Sequence, residues 1–344
     1  MSLQQKILAT LKEFEQLQIA QQIDYDKFYL YSLITHSTAI EGSTVTEVEN
    51  QLLFDEGIPA KGKPMEQQLM NLDLKAAYEH SLKLAKSKED LSIETLKHLA
   101  GLVMKNTGSV YNTILGNFSS AQGDLRLVNV TAGSGGKSYL NHVQVPQKLL
   151  ELCNNINQRR KSIDPNNIIE CYNLSFDLHF WLVTIHPWVD GNGRMSRLVM
   201  NQIQFELGLI PTIINKNSKA DYIDALIATR KADDINIFRE FMIKHHIQNL
   251  EQMILEHKQS KNSDLTINVP VNVPVNVLVN LSEREQQIIA AMQSNNTITA
   301  TQLSQMLGVS DKTIKRNIAS LKEQGIVERI GSDKRGSWLV NIVQ

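Results

Sequence analysis

The chain has 344 residues, enough for two or three domains rather than one. Its 35 lysine and arginine residues nearly balance its 36 aspartate and glutamate residues. The resulting net charge of -1 excludes a polybasic protein that coats nucleic acid or anionic membrane. Hydrophobic residues make up 42% of the chain, which is enough for packed cores and argues against global disorder.

The sequence carries no sign of a membrane or secreted protein. No stretch approaches the roughly 18 consecutive apolar residues that span a bilayer, and the first residues lack the basic head and apolar run of a secretory signal. Cys153 and Cys171 are too few for a disulfide framework, so we expect them to be buried as small hydrophobic residues. We therefore expect a protein of the reducing cytoplasm with no membrane partner.

The first 260 residues are predicted to be mostly helical. An amphipathic pattern begins near Leu8, and an apolar stripe continues it to residue 40. A second helical face covers residues 69–85, and Ser92 is the predicted cap of a third helix.

A glycine-rich stretch at residues 108–146 interrupts the helices and predicts a loop with a short β-hairpin. Helices resume near Gln147. The strongly apolar run at 167–185 predicts a long helix that Pro187 ends, because proline has no backbone N–H to donate. The next helix is expected to begin around Arg194 and to end near Gly208.

Residues 261–280 are predicted to be an interdomain linker. Their Asn-Val-Pro-Val repeat has no helical period, and valine, asparagine and proline favour an extended chain. An edge strand is the alternative interpretation.

Residues 281–344 are expected to form a separate small domain of three capped helices followed by two short strands. This order of elements resembles a winged helix-turn-helix domain, with residues 311–323 as the recognition helix. The predicted caps are Ser282, Thr299 and Ser310, and the predicted strands cover residues 327–330 and 337–340.

This small domain carries eight basic and six acidic residues. The positive charges concentrate on its third helix and on the turn at residues 331–336, where a winged helix would contact phosphates. DNA is therefore a candidate partner, and a domain that contacts protein is the alternative. The basic residues are Arg284, Lys312, Lys315, Arg316, Lys322, Arg329, Lys334 and Arg335.

One segment of twelve residues carries most of the chemical information. Its glycines let backbone amides approach a ligand, and the helix that follows offers unpaired N–H groups and the positive end of its dipole. Two arginines three residues apart share one face of that helix. Together these groups predict a site for a polyphosphate. The segment reads His186-Pro187-Trp188-Val189-Asp190-Gly191-Asn192-Gly193-Arg194-Met195-Ser196-Arg197.

Two further side chains of the segment predict chemistry beside that anion. Asp190 would repel a phosphate unless a cation lay between them, and a bridging Mg²⁺ ion would remove the conflict. His186 has a side chain whose unperturbed pKa lies near neutrality, as a general base requires.

The same segment resembles the signature of the Fic family: His-Pro-Phe, any residue, Asp or Glu, Gly-Asn-Gly-Arg, two residues, Arg. The one departure is Trp188, which stands where phenylalanine is usual and is another large aromatic residue suited to an apolar anchor. The resemblance covers about residues 25–250. It implies a mainly α fold, a Fic-type helical bundle with a β-hairpin flap at about residues 122–145.

The resemblance implies an enzyme that transfers AMP from ATP to a Ser, Thr or Tyr hydroxyl of a protein, including the enzyme itself. His186 would be the general base, and Asp190 would hold Mg²⁺ against the phosphates. The flap would pair with the target as an added strand. The nucleotide would be bound by Gly191, Asn192, Gly193, Arg194, Met195, Ser196, Arg197 and Tyr222.

An upstream stretch, Ser37-Thr38-Ala39-Ile40-Glu41-Gly42, fits the family's inhibitory pattern of Ser or Thr, three residues, Glu, then Gly or Asn. The resemblance implies that Glu41 pairs with Arg197, the arginine that should bind the γ-phosphate, and so misplaces ATP for in-line attack. Gly42 also fits a helix C-cap, and both interpretations can hold. Residues 1–100 are thus expected to be an N-terminal helical region with the inhibitory segment, and residues 101–260 the Fic catalytic core.

Other functions stay open at this point. The chain could remove AMP from a modified target, or it could transfer another nucleotide or phosphate group. It could also be a DNA-binding regulator whose Fic module senses nucleotide, although sensing needs no base and His186 is intact. The winged helix could select the protein target instead of binding DNA. A homodimer is compatible with the sequence.

Two further patterns are rejected as sites. Gly136-Lys137-Ser138 resembles the end of a Walker loop, but Thr131 stands where that loop needs its first glycine. The adjacent His245 and His246 are expected to be surface residues rather than metal ligands, because neighbours in a helix point to different faces.

Overall fold

A computed structural model describes residues 2–22, 24–132, 138–263, 283–307, 309–323, 326–330 and 337–340. The chain divides into two compact units, Met1–Leu255 and Glu256–Gln344. The predicted linker at 261–280 lies outside the described residues, apart from its first three residues, which are helical.

The first unit is a bundle of helices with one β-hairpin, which confirms the predicted fold class. Its hairpin pairs β1 (Val110–Thr113) with β2 (Gly116–Ser119) in antiparallel register. The described helices as far as Ser263, the last of which continues past Leu255, are α1 Leu3–Gln16, α2 Tyr25–Ile40, α3 Glu47–Asp55, α4 Met65–Ser87, α5 Ile93–Val103, α6 Val145–Ser162, α7 Ile168–Ile185, α8 Asn192–Glu206, α9 Lys219–Ala232 and α10 Ile235–Ser263.

Local sequence signals fix several helix ends. The Ser92 hydroxyl accepts the Thr95 N–H at 3.0 Å and begins α5, as predicted. The apolar stripe that starts near Leu8 is divided between α1 and α2. Gln18 and Asp24, both with a left-handed backbone, lie between the two helices, so the chain can turn there.

Two central helices, α7 and α8, form the middle of the bundle. Leu174, Leu178 and Leu182 of α7 and Leu198 of α8 are fully buried in the main core. Each buried leucine contributes about 1.5–3 kcal/mol relative to an exposed one. The loop that joins α7 to α8 is therefore held at both ends by well-packed helices.

The predicted hairpin lies earlier in the glycine-rich stretch than the flap that was expected to contain it. Its strands end at Ser119, before the flap begins at residue 122. Within the described flap residues, the β-type pairing is an isolated bridge between Thr131 and Ser138. Residues 133–137, which include the rejected Gly136 and Lys137, lie outside the described part of the chain.

The prediction that His245 and His246 lie at the surface is wrong. Both are buried, because α10 has core contacts on more than one face. The His245 Nε2 accepts the Asn215 N–H at 3.1 Å, and the His246 Nε2 lies 2.9 Å from the Tyr172 hydroxyl. In the described residues, no cluster of three His, Cys, Asp or Glu side chains could hold a metal ion.

The two cysteines are buried, as predicted. No helix in the described part of the chain is long and apolar enough to cross a membrane.

From residue 283 onward, the described part of the second unit has three helices, α11 (Glu283–Ser294), α12 (Ala300–Leu307) and α13 (Asp311–Glu323), and a β3–β4 hairpin. Strands Val327–Ile330 and Ser337–Val340 pair antiparallel, which confirms the winged helix-turn-helix order. Thr299 and Ser310 cap the second and third helices. Three predicted features lie outside the described residues: the Ser282 cap, and Lys334 and Arg335 of the turn.

Candidate active site

The candidate site is built on the loop between α7 and α8. His186 ends α7 in a left-handed conformation (φ 54°), and its N–H still reaches the Leu182 carbonyl at 3.0 Å. Pro187 prevents another helical turn. A left-handed backbone at a residue other than glycine costs on the order of 1 kcal/mol, and such strain persists only where the surroundings hold it.

The imidazole of His186 is half-buried and neutral. Burial, followed by the nearby charges of Arg126 and Arg230, lowers its pKa to about 4. Its Nδ1 lies 3.3 Å from the Val183 carbonyl, which can only accept a hydrogen bond, so Nδ1 carries the proton. The Nε2 atom is left as the acceptor, which is the protonation state that a general base needs.

The loop is locked by its own side chains. The Trp188 indole is buried and donates to the Gly123 carbonyl at 3.0 Å. The Asn192 side chain accepts the Trp188 N–H at 3.1 Å and donates to its carbonyl at 2.8 Å. The Asn192 amide group therefore closes the loop, and its backbone N–H is the group left to meet a ligand.

Helix α8 points its N-terminus at the site. The N–H groups of Asn192, Gly193 and Arg194 have no carbonyl one turn earlier to bind. Gly191 has φ 81°, and a side chain there would also meet the Met104 sulfur at 2.9 Å. A Cβ on Gly193 would lie 2.5 Å from the Glu41 Oε1. Both glycines therefore keep this helix end open.

The two signature arginines differ in their contacts. Arg194 is buried and donates to the Val103 carbonyl at 3.4 Å and to the Met104 sulfur at 3.1 Å. Arg197, also buried, donates from Nε to the Ser37 hydroxyl at 2.8 Å and from Nη2 to the Ser37 carbonyl at 3.0 Å. The C-terminal turn of α2 therefore holds the Arg197 guanidinium.

Glu41 completes that contact. Its Oε1 lies 2.5 Å from the Arg197 Nη2, so the carboxylate lies at the end of α8 beside Gly193. Burial alone would raise the pKa of Glu41, but the Arg197 guanidinium outweighs it and holds that pKa below its usual value. Glu41 is thus ionised and occupies space that an anionic ligand of α8 would need.

Helix α2 is positioned for this contact by buried polar groups. The Thr38 hydroxyl donates to the side-chain Oδ1 of Asn71 at 2.8 Å. The side-chain Nδ2 of Asn50 donates to the Thr35 hydroxyl at 2.8 Å and to the side-chain Oδ1 of Asn71 at 2.9 Å. All four side chains are buried, so these directional bonds define the rotation of α2 about its axis.

Asp190 is the acidic side chain at the rim of the loop. Its side chain is 60% exposed, its Oδ1 accepts the Gly191 N–H at 2.6 Å, and Arg194 lies 3.6 Å away. One exposed carboxylate beside unpaired amides fits a Mg²⁺ ion that takes its other ligands from phosphates and water. These residues do not form a metal cage of their own.

Three predicted nucleotide-binding side chains are buried within the protein. Met195 is buried in the main core, and Ser196 is buried beside it on α8. Tyr222 is buried as well; its hydroxyl lies 3.0 Å from the His179 Nε2, and burial raises its pKa while the nearby Arg197 charge lowers it. Tyr222 therefore lies beside His179 within the protein core.

The structure adds three residues that sequence reasoning missed. Arg126 and Tyr139 of the flap and Arg230 of α9 all lie around His186. Arg126 stands between Leu125 and Leu127 in the glycine-rich stretch. A charged residue between apolar neighbours was the signal from which its burial could have been predicted. Tyr139 and Arg230 carry no local pattern that indicates the contact.

Two family models match the chain. The Fic/DOC family model covers residues 90–204, and a helix-turn-helix (HTH) domain model covers residues 284–336. Protein adenylyltransferase fic-1 of Caenorhabditis elegans is 24% identical over 244 residues, which are 70% of this chain and 44% of the relative. The chain thus matches less than half of that relative's length.

Solved structures share the fold. A Fic domain containing signaling protein from Bacteroides thetaiotaomicron matches with a TM-score of 0.59 at 20% identity, over 74% of this chain and 97% of that protein. A Fic family protein from Desulfovibrio desulfuricans matches with a TM-score of 0.55 at 17% identity, over 98% and 96% of the two chains.

Proposed function

We propose that this chain, whose residues 90–204 form a Fic domain, is a protein adenylyltransferase that transfers AMP from ATP to a protein hydroxyl. The observation that carries the proposal is the neutral His186 imidazole in the loop that leads into the open end of α8. The relative named as an adenylyltransferase supports the same reaction. We place the enzyme in the cytoplasm, where its buried thiols stay reduced.

The reaction follows from the groups at the loop. The His186 Nε2 takes the proton of a Ser, Thr or Tyr hydroxyl, that oxygen attacks the α-phosphate of ATP, and pyrophosphate leaves. The backbone N–H groups at the start of α8 bind phosphate oxygens, and Arg197 binds the outer phosphate once Glu41 has left it. A bound Mg²⁺ would neutralise charge on the phosphates, with Asp190 as its protein ligand.

We further propose that the described state is inhibited. The ion pair between Glu41 and Arg197 supports this, because it occupies the cation that the outer phosphate needs. The Glu41 carboxylate also lies close to Gly193. There it would repel the negatively charged phosphates of ATP and occupy space that they need at the N-terminus of α8. ATP could bind only in a displaced position, from which in-line attack is slow.

The decisive experiment is to incubate the Glu41→Gly variant and Mg²⁺ with labelled ATP, UTP or GTP, in the presence of candidate protein targets. Label from the α-phosphate of ATP on protein, with mass mapping of an added AMP on a hydroxyl residue of the chain or a target, would support the proposal. Transfer from UTP or GTP alone would replace it with another nucleotidyl transfer. Release of AMP from a modified target without transfer would indicate the reverse reaction.

Replacing Asp190 with alanine is expected to raise the Mg²⁺ concentration needed for half-maximal rate by about tenfold, the effect of roughly 1.4 kcal/mol of lost ligation. Rate should be measured against Mg²⁺ in the Glu41→Gly background. Asp90→Ala is the matched control, since Asp90 is another exposed carboxylate paired with a single cation. An unchanged Mg²⁺ dependence in Asp190→Ala would exclude this residue as the metal ligand.

We propose DNA as a second partner, bound through the helix-turn-helix domain. The family match at 284–336 favours this, and so do the exposed basic side chains of α13. Lys315, Arg316 and Lys322 are all exposed on that helix. In this case the Fic domain would act on a protein while the second unit binds nucleic acid.

Replacing Arg316 with alanine is expected to weaken DNA binding for all sequences and to reduce the salt slope of log K by about 0.9, the value of one lost phosphate contact. Binding should be measured by fluorescence anisotropy on mixed-sequence duplexes over a salt series. Lys244→Ala removes an exposed cation from the first unit and serves as the control. A wild-type protein without salt-dependent affinity would instead favour a protein-binding role for this domain.

A further inference from the structure

Arg126 makes an unusual set of contacts for a buried arginine. It is only 1% exposed. Its Nε donates to the His186 carbonyl at 2.7 Å, its Nη1 donates to the Val128 carbonyl at 2.8 Å, and its Nη2 donates to the Leu140 carbonyl. Its backbone N–H also donates to the Pro187 carbonyl at 3.0 Å.

These contacts join three parts of the chain through one side chain. Val128 and Leu140 belong to the two described parts of the flap, residues 122–132 and 138–145, and His186 ends α7. No described carboxylate lies within ion-pair distance of Arg126, and its described side-chain partners are three backbone carbonyls. Burying a cation without a carboxylate partner costs free energy, and hydrogen bonds to carbonyl oxygens offset part of that cost. The planar guanidinium group can donate to three carbonyls at once.

The flap also covers the ring of His186. The Tyr139 ring stacks on the imidazole with centroids 3.7 Å apart and planes 13° apart. Arg230 lies 5.8 Å from the Tyr139 ring centroid and also donates to the Thr184 hydroxyl at 3.1 Å, so α7 and α9 both support this stack. Among the described residues, the ring itself has one hydrogen bond, to the Val183 carbonyl, and it is long at 3.3 Å.

We propose that Arg126 and Tyr139 are positioning residues for His186, with the arginine holding its backbone carbonyl and the tyrosine holding its ring face. The left-handed backbone of His186 and its weak ring hydrogen bond leave the imidazole with little support from α7 itself. The flap supplies that support at two groups of the residue: Arg126 binds its backbone carbonyl, and Tyr139 stacks on its ring. This role rests on the proposed function of His186 as general base.

Through Arg126, the orientation of the His186 base is linked to the flap. Arg126 binds the flap on both sides of its central residues, at Val128 and Leu140, and the same guanidinium binds the His186 carbonyl. A target strand that docks on the flap would therefore meet an element already bonded to the base. Alignment of acceptor and base within about 1 Å is the difference between fast and slow transfer.

The test compares Tyr139→Ala, Tyr139→Phe and the control Tyr111→Ala, all in the full-length Glu41→Gly chain. Tyr111 is a matched control because it also stacks on an aromatic ring, that of Phe118 in the β-hairpin, at 5.0 Å. We expect Tyr139→Ala to lower kcat roughly tenfold to a hundredfold while the KM for ATP stays the same. Tyr139→Phe should recover most of that loss, and Tyr111→Ala should leave kcat unchanged.

The pH profile separates positioning from a general structural effect. His186 faces Arg126 and Arg230, which lower its pKa, and Asp190, which raises it, and all three remain in the variant. Tyr139→Ala exposes the ring to water, so its pKa should rise from about 4 toward the ordinary 6.5. A protonated imidazole cannot act as a general base. The acid limb of the plot of kcat against pH should therefore shift to higher pH in Tyr139→Ala and stay in place in Tyr139→Phe.

A titration of the His186 imidazole by NMR, assigned with His186→Ala, gives the same pKa without requiring activity. A raised imidazole pKa in Tyr139→Ala together with no AMP transfer by any variant would uphold the positioning role and overturn the proposed function. Robust transfer by Tyr139→Ala, with unchanged kcat and an unmoved acid limb, would overturn the positioning role and leave the function intact.

Arg126→Lys tests the other half of the proposal. Lysine keeps the charge but cannot meet three carbonyls with one planar fork. We expect a folded Arg126→Lys protein to lose kcat at least tenfold and to show a broadened or shifted His186 imidazole resonance. Arg126→Lys with wild-type thermal unfolding, kcat and His186 resonance would contradict the role. If this variant fails to fold, the Tyr139 pair decides the question alone.

Discussion

Replacing Glu41 with glycine is expected to increase the rate of AMP transfer from ATP on the order of a hundredfold. The variant frees the Arg197 Nη2, which Glu41 contacts at 2.5 Å, and opens the space beside Gly193 at the N-terminus of α8. Both changes favour a triphosphate in the in-line position. Incorporation of labelled AMP into protein, measured at saturating ATP and Mg²⁺, gives the ratio directly.

Two further variants separate the effect of removing the Glu41 charge from the effect of placing glycine at the end of a helix. Glu56→Gly is the matched control, because Glu56 is also a C-cap glutamate, at the end of α3, and should leave the rate unchanged. Glu41→Gln keeps the size of the side chain and removes its charge, so we expect a smaller increase than for glycine. Equal rates for wild type and Glu41→Gly would show that Glu41 does not inhibit the enzyme.

Replacing His186 with alanine in the Glu41→Gly background is expected to lower the rate of transfer about a hundredfold to ten-thousandfold. The imidazole is neutral because its pKa is lowered to about 4, so wild-type rate should not fall as pH drops from 8 to 6 on account of this group. ATP binding should persist, since the phosphate contacts proposed above are to α8 and Arg197. Single-turnover labelling and nucleotide binding by calorimetry measure the two effects separately.

The exposed His98 on α5 provides the matched control, and His98→Ala should keep the full rate. Full labelling by the His186→Ala protein would mean that another group removes the proton. Loss of labelling together with loss of ATP binding would instead assign His186 to the nucleotide site.

Much of the fold could be predicted because local signals determine it. Ser92, Thr299 and Ser310 cap helices where their side chains meet the first-turn N–H groups, and Pro187 ends α7 through its missing donor. The strands of the small domain also lie where predicted. These features depend on residues within a few positions of one another.

The errors arise where distant residues decide the outcome. His245 and His246 are adjacent on α10, and only the packing of that helix against residues near 172 and 215 buries both. The hairpin predicted within residues 108–146 is confirmed at 110–119, where β1 and β2 pair, whereas the Val128 carbonyl of the flap accepts a hydrogen bond from Arg126. Composition alone could not separate these two parts of the glycine-rich stretch.

The candidate site shows the same division. The motif brought His186, Asp190 and the start of α8 together because they are neighbours along the chain, and the resemblance supplied the partner of Arg197, 156 residues earlier. Spacing alone could not indicate that the Asn192 side chain would bind Trp188, or that the Tyr222 hydroxyl would lie beside His179. Those contacts depend on tertiary packing.

The buried hydrogen bonds beneath α2 have a consequence for activation. Thr35 and Thr38 of α2 meet Asn50 and Asn71 in one register, and turning the helix by a single residue would break both of these bonds. Under the inhibition proposed above, withdrawing Glu41 from Arg197 by such a rotation would require both bonds to break together. A population of such molecules would respond to an activating partner by changing the fraction that is switched on, not by each molecule working a little faster.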